Sequence, residues 1–446
     1  MNMRQTTRKI LWMGVFYSSL ASFPAFSQGL GTLVELARKN DPQWLLANAK
    51  FRESQEYLPQ AYSQLLPSVS FTKNANQVTQ QLTNDATQSP EQRYPSSSQV
   101  LSLRQPIVRT KQMFGVDSAR AQTEQATFYF QEETQQVTLR VVDAYLNLLL
   151  TSDRKVLLDS QKELVNSRLK AAISGLRVGQ GMRTDVDEAQ AELSKILADE
   201  IQVNQANLVA KMQIELLTGA PLTSLHSLNL KKFKSYAFSQ LTPDHLFDQA
   251  TKNNPKFKAQ KLDIEIAKSM IKQAESGHHP TLDLVLQVNQ TTGESSYFVS
   301  TRNTNRVVGL QLNVPIYSGG LVNSQVRQAV SKLEQTQEQL SFSSNNLRVQ
   351  IHKESSAVKE GIKRVEAFEV AVESSKQAVI SNQKGVLAGT RTEFDVLKNL
   401  NQLTQVQVDL ARSRYELISA WAHLNSYLGS MDNQFVDEIS SFFHLD

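Results

Sequence analysis

The feature that most constrains this chain is that it repeats itself. Leu33-x3-Ala37-x-Lys39-Asn40-x-Pro42, followed by Pro67, returns as Leu246-x3-Ala250-x-Lys252-Asn253-x-Pro255 with Pro280, a shift of 213. Leu101-x-Leu103-x2-Pro106 returns as Leu310-x-Leu312-x2-Pro315 at a shift of 209. Gly175, Gly179, Asp185-Val186, Leu193 and Gly219 return as Gly385, Gly389, Asp395-Val396, Leu403 and Gly429 at 210. Offsets that drift so little over most of the chain mean one supersecondary unit used twice. The units span 28–230 and 246–430, with a linker at 231–245 and a C-terminal tail at 431–446.

Both units run in the same order. A short helix opens each, around Trp44 and Phe51 in the first copy and from Phe257 to Ala274 in the second. The period then changes to two. Leu282, Leu284, Leu286 and Val288 alternate with Asp283, Val285, Gln287 and Asn289. After a polar loop through Gly293, Val308, Leu310, Leu312, Val314 and Ile316 alternate with Gly309, Gln311 and Asn313. This is a hairpin (280–316) with one apolar and one polar face. The first copy holds a weaker version (64–108) with Val69, Phe71, Leu101, Leu103 and Ile107, its strands separated by a long polar loop at about 76–98.

A very long helix follows each hairpin, at 107–173 and 317–386. Val358, Val365, Val372, Val379 and Val386 fall at strict seven-residue spacing, and no proline occurs after Pro315. A sustained heptad imposes coiled-coil packing. A second helix closes each unit, at 184–218 and 392–428, stopping at Gly219 and Gly429.

Composition excludes several functions. The 446 residues contain no cysteine, which removes disulfides, thiolate metal sites and a cysteine nucleophile. The seven histidines show no metal-ligand spacing. Neither a catalytic constellation nor a phosphate loop is present, so no enzyme, metal or cofactor is expected. Arg4, Arg8 and Lys9, the apolar run Ile10 to Leu20 and Ala25-Phe26-Ser27 read as a signal peptide over 1–27. Taking away its three cations lowers the formal charge from +4 to +1, so no nucleic-acid footprint survives. The longest later apolar run, Val141 to Leu150, is broken by Asp143 and Asn147, too short for the roughly 20 residues of a spanning helix. The exported chain is therefore soluble or crosses a membrane as a β-barrel.

Four strands cannot close such a barrel, since single-chain barrels begin at about eight, and open edges are forbidden in lipid. Either the hairpins form a soluble sheet, or several chains pool strands. A lumen-facing row of Gln287, Asn289, Gln311 and Asn313 suits water, and three copies would supply about 12 strands. The expected fold is mainly α with a β-barrel part: two structural repeats whose long coiled-coil helices form an α-helical barrel, plus four strands per chain.

Leu-Pro-Ser-Val at 66–69, Val-Pro-Ile-Tyr-Ser-Gly-Gly at 314–320, Gly-Leu-Arg-Val-Gly at 175–179 and Ala-Gly-Thr-Arg-Thr-x-x-Asp-Val-Leu at 388–397 together resemble the TolC family of outer-membrane efflux and secretion channels. The resemblance covers almost all of the mature chain. It implies a homotrimer with a 12-stranded barrel in outer-membrane lipid and a helical tunnel across the periplasm. It also implies docking, through a periplasmic adaptor (membrane fusion) protein, to an inner-membrane transporter of ABC or RND type, in an efflux or type I secretion system. By the same resemblance Asp395 is the inward carboxylate of the periplasmic entrance, and Asp185 and Arg391 belong to the bonds that keep it closed. Gly175, Val178, Gly179, Ala388, Gly389 and Thr390 sit at the tips an adaptor contacts. Lys398 stands where some members carry a second acidic residue, which implies a less cation-selective mouth.

Two readings of the carboxylates stay open in the sequence. Asp185 and Asp395 also fall in first helical turns, where a carboxylate faces free N–H groups, and Thr392-x-x-Asp395 resembles a capping box. The rival for the whole chain is a soluble periplasmic coiled-coil adaptor or scaffold, against which the alternation at 282–289 and 308–316 argues.

Overall fold

The computed structural model describes residues 29–443 except 82, 85–86, 89–90, 236–241 and 296–297. The signal-peptide reading of 1–27 therefore lies outside the described residues. Eleven helices and six strands are described, in the order α1 (Leu30–Asn40), α2 (Pro42–Gln55), α3 (Tyr57–Ser63), β1 (Ser68–Gln80), β2 (Thr83–Asn84), β3 (Thr87–Gln88), β4 (Gln92–Val108), α4 (Thr110–Arg177) and α5 (Arg183–Thr218). Then come α6 (Leu230–Ser235), α7 (Pro243–Asn253), α8 (Pro255–Glu275), β5 (Thr281–Ser295), β6 (Phe298–Asn313), α9 (Leu321–Leu387), α10 (Glu393–Leu428) and α11 (Asn433–Ser441).

The duplication is metrical. The long helices α4 and α9 have 68 and 67 residues, and α5 and α10 have 36 each. At about 1.5 Å per residue the long pair reaches roughly 100 Å. Each unit opens with more than one short helix, three in the first (α1 to α3) and two in the second (α7 and α8), and Pro42 and Pro255 restart the chain at a first helical position. The preceding Asp41 and Asn254 cap the new helices by accepting from Gln43 N and Phe257 N.

Heptads decide which faces meet. On α9, Val358, Val365, Val372 and Val379 are buried, while Val386 near the tip is half-buried. On α5 the buried series Ala189, Ile196, Val203 and Ala210 keeps the same spacing, its first three members against Leu158, Val165 and Leu169 of α4 and Ala210 in the main core. Packed helix neighbours run α5, α4, α10, α9 in the half near the tips and α2, α4, α8, α9 in the half near the sheet, so the two repeats join where α4 meets α10 and α8, and toward the tips α5 and α9 are outer flanks.

The four long strands form one antiparallel sheet in the order β1-β4-β5-β6. Register places Val69, Leu103, Leu286 and Val308 in one row and Phe71, Leu101 and Val288 in the next, all on one face. Ser70, Ser102 and Gln287 share the other face. Pairing continues to Gln80↔Gln92 and Ser295↔Phe298, so most of the expected polar loops is strand. The ladder is backbone hydrogen bonding and persists where both faces turn polar. The long helices begin at Thr110 and Leu321 rather than at 107 and 317. Ile107 and Val108 still belong to β4, and Gly319 and Gly320, with φ of 59° and 80°, turn the second chain before its helix starts.

The linker and tail are more structured than the sequence implied. Leu230–Ser235 is helical and buries Phe233, and Lys234 pairs with Glu369 of α9 at 2.8 Å. The tail folds as α11, whose Phe435, Val436 and Ile439, with Phe442 and Phe443 beyond it, enter the main core beside Tyr145 and Trp421. Among the described residues no helix is long and apolar enough to cross a membrane.

Candidate functional site: the helix tips

The two turns opposite the sheet end of the long helices are built alike. Gly179 and Gly389 adopt φ of 76° and 73°, the left-handed conformation that stops a helix. The closing bonds match in both: Gln180 N donates to Gly175 O and Thr390 N to Gly385 O, each at 2.9 Å. Gly175 and Gly385 are helical, and the returning chain passes close at Gly385 in the second repeat and at Gly181 in the first. A Cβ on Gly385 would stand 2.7 Å from Arg391 Cγ, and one on Gly181, the counterpart of Arg391, would stand 2.8 Å from Leu176 N. The expected tip residues Val178, Gly179, Ala388, Gly389 and Thr390 are exposed, and Gly175 is half-buried.

Asp395 serves as a cap. Its carboxylate accepts from Thr392 N and Thr392 Oγ1, each at 3.1 Å, while Asp395 N donates to Thr392 Oγ1 at 3.2 Å. The Thr392 bonds hold its carboxyl below the usual carboxylate range, desolvation opposes them, and the charges of Arg391 and Lys398 reinforce them. Asp185 makes the weaker equivalent, accepting from Met182 N at 3.3 Å, with a thioether where the second repeat has a hydroxyl. Both carboxylates are half-exposed and Lys398 is exposed. Within the chain no hydrogen bond or ion pair joins Asp185 to Arg391 among the described residues.

Sequence reasoning missed what ties the two tips together. Arg168 of α4 forms an ion pair with Glu393 at the first turn of α10, and Gln161 donates to Asn401 at 2.6 Å. A cleft of about 390 Å³ opens between the repeats here, lined by Arg168, Gly181, Asp185, Glu188, Glu393 and Phe394. The usable signal was asymmetry between repeats. Glu393 stands opposite Arg183, and Arg168 opposite Ala378, so charge differs where one repeat serves the other.

The sheet end has its own joint. Asp283 of β5, with a side chain only 3% exposed, accepts from Arg104 of β4 and from Arg109 at the entry to α4, at 2.5 to 3.0 Å. A single carboxylate thus fixes the angle between sheet and long helix.

A two-faced sheet on a coiled helical shaft, closed at the far end by paired turns, defines a channel subunit of the outer membrane that reaches into the periplasm. The family described as "Outer membrane efflux protein" matches residues 33–220 and 246–430, almost the two repeat units, and the chain belongs to it; that family comprises outer-membrane channels. Among relatives, Outer membrane protein TolC of Escherichia coli is 27% identical over 93% of this chain and 85% of its own. Proteases secretion protein PrtF of Dickeya chrysanthemi is 26% identical over 95% and 93%. In fold, the Campylobacter jejuni CmeC outer membrane channel has a TM-score of 0.79 at 14% identity, covering 100% of this chain and 98% of that one. VceC of Vibrio cholerae has 0.76 at 16%, covering 90% and 96%.

Proposed function

We propose that three copies close their sheets into a 12-stranded outer-membrane barrel and their helices into one periplasmic tube, a passive exit duct of a tripartite efflux or type I secretion system. The observation that carries this is the two-faced sheet with both edges open, β1 on one side and β6 on the other. Unpaired edges are intolerable in lipid, and closure removes them. The flanks argue the same way. On α5, Leu197, Ile201, Leu208, Met212 and Leu216 form an exposed apolar stripe, and Phe342, Val349 and Val370 are exposed on α9. In a closed tube α5 of one protomer faces α9 of the next.

The tips form the periplasmic entrance. Three Asp395 carboxylates ring it, each offset by Lys398, so the mouth selects cations weakly. Asp185 and Arg391 act in closure; in this conformation a bond between them has to cross a protomer boundary. The inter-repeat cleft and the exposed residues around Gly179 and Gly389 receive the adaptor, which links the duct to an ABC or RND transporter. Two relatives are named for protease secretion; for this chain the transporter selects the cargo.

The test uses the absence of native cysteine. Pairs of cysteines, one on β1 and one on β6 of the same chain, are oxidised in membranes, and the detergent-extracted protein is tested for single-channel conductance. Crosslinks that stop at trimer, with conducting pores, support the duct. A detergent-independent monomer that never permeabilises a bilayer overturns it.

A further inference from the structure

The outward face of the sheet is apolar over only part of its height. Rows from Leu282 and Leu312 up to Phe71, Leu101 and Val288 are apolar apart from Gln105 beside Leu284 and Arg306 at the β6 end of the top row. From Leu282 to Val288 β5 covers about 20 Å at about 3.4 Å per residue, a rise that tilt shortens further, so the apolar rows lie within the roughly 25 Å of a barrel's apolar band. Arg306 ends the topmost of these rows beside Val288, and in the two rows above it on the same face stand Lys73, level with Gln99, and Arg302, level with Thr292.

Their distribution is uneven. Lys73 lies on β1 and Arg302 and Arg306 on β6, the two open edges, while the inner strands carry the neutral Gln99, Ser97, Gln290 and Thr292 in those rows. Arg93, further out on β4, is already paired with Glu91 at 3.0 Å. Lys73, Arg302 and Arg306 are exposed and have no ion-pair partner among the described residues. The opposite face carries Asn74, Ser98, Thr291 and Asn303 at the same height, all uncharged. An outward cation is costly at mid-bilayer and nearly free at the interface, where its stem lies on apolar surface and its head reaches phosphate.

We infer that each seam of the barrel carries a three-cation site for the phosphate groups of outer-leaflet glycolipid, Lys73 from one protomer and Arg302 and Arg306 from its neighbour. This rests on the trimeric reading above, since closing the barrel is what brings β6 beside β1. The bound lipid bridges the seam and strengthens the assembly.

The test compares wild-type trimer with Lys73→Gln/Arg302→Gln/Arg306→Gln and with the charge-preserving Lys73→Arg/Arg302→Lys/Arg306→Lys. Lipopolysaccharide is added to the detergent-solubilised protein, and trimer dissociation temperature and retained glycolipid are read. Wild type and the charge-preserving variant gain several degrees and retain several-fold more glycolipid than the neutral variant, and dephosphorylated lipopolysaccharide loses the effect. Equal gains in the neutral variant, or an equal gain from inorganic phosphate alone, overturn the site while trimer and conductance stand. A wild type that forms no trimeric pore overturns the duct, and the site with it.

Discussion

Arg168 and Glu393 form an ion pair that joins the long helix of the first repeat to the tip of the second, 225 residues apart in sequence. The Arg168 side chain is 17% exposed and that of Glu393 49%, so the pair is partly screened and its energetic effect is modest. Its place matters more. It spans the cleft beside Asp185, where one repeat must move against the other if the entrance is to widen. Glu393→Gln should raise the resting conductance of channels in planar bilayers by a factor of a few. The reversed pair Arg168→Glu/Glu393→Arg should bring it back toward wild type, and a double variant as leaky as the single one would remove the pair from closure.

In the proposed entrance Lys398 stands three residues from Asp395 and opposes its field. Lys398→Asp removes one cation per protomer and adds one anion three residues from Asp395, so reversal potentials under a salt gradient should move toward the cation limit. An unchanged reversal potential would place Lys398 away from the conduction path.

His423 of α10 gives the joint between repeats a pH dependence. Its Nε2 lies 3.0 Å from Asp143 Oδ2 of α4, and Ser419 donates to Asp143 Oδ1 at 2.8 Å. The Asp143 bond raises the imidazole pKa first; burial opposes, and Asp143 and Glu354 outweigh Lys353 among the nearby charges. A raised folded-state value means the stabilisation is complete below the ordinary histidine pKa and is lost as pH rises through the folded one. Wild type should therefore lose more thermal stability than His423→Gln between about pH 6 and 8, measured by unfolding temperature at each pH. Parallel curves would show that the pair does not titrate there.

Two left-handed glycines, Gly179 after the long helix α4 and Gly429 after the closing helix α10, should respond unequally to alanine. Gly429 has φ 75°, and a Cβ there would lie 2.6 Å from Asn253 O. Gly179 has φ 76° but nothing within 4 Å. Gly179→Ala should cost about 1 kcal/mol of backbone strain, and Gly429→Ala more than about 2 kcal/mol because rigid backbone must also shift. Urea midpoints would rank them, and equal effects would contradict the close approach.

Asp283→Asn leaves Arg104 and Arg109 without their shared carboxylate. Removing one partner of a buried pair costs about 3–5 kcal/mol, reduced here because the Arg104 side chain is 50% exposed. The variant should dissociate as a trimer at lower temperature than wild type while its tips still bind an adaptor. Unaltered dissociation would make the joint dispensable.

By itself the sequence determined what is local and periodic. The seven-residue valine series on α9 specified one buried stripe, the alternation at 282–289 and 308–316 specified two faces, although Val314 and Ile316 lie beyond the end of β6 at Asn313, and Gly219 and Gly429 specified where the closing helices end. Each follows from backbone geometry acting over a few residues. The repeat offset then fixed the architecture twice over, and the family motifs pointed to the tips. Tertiary structure alone decided who meets whom: Arg168 with Glu393, Asp143 with His423, Asp283 with two arginines, and the C-terminal Phe443 with Tyr145 of the first repeat. It also decided that α5 and α9, equally heptad-rich, are the flanks left open. Periodicity says which face a helix buries, but the partner of that face depends on how rigid elements far apart in the chain come to lie side by side.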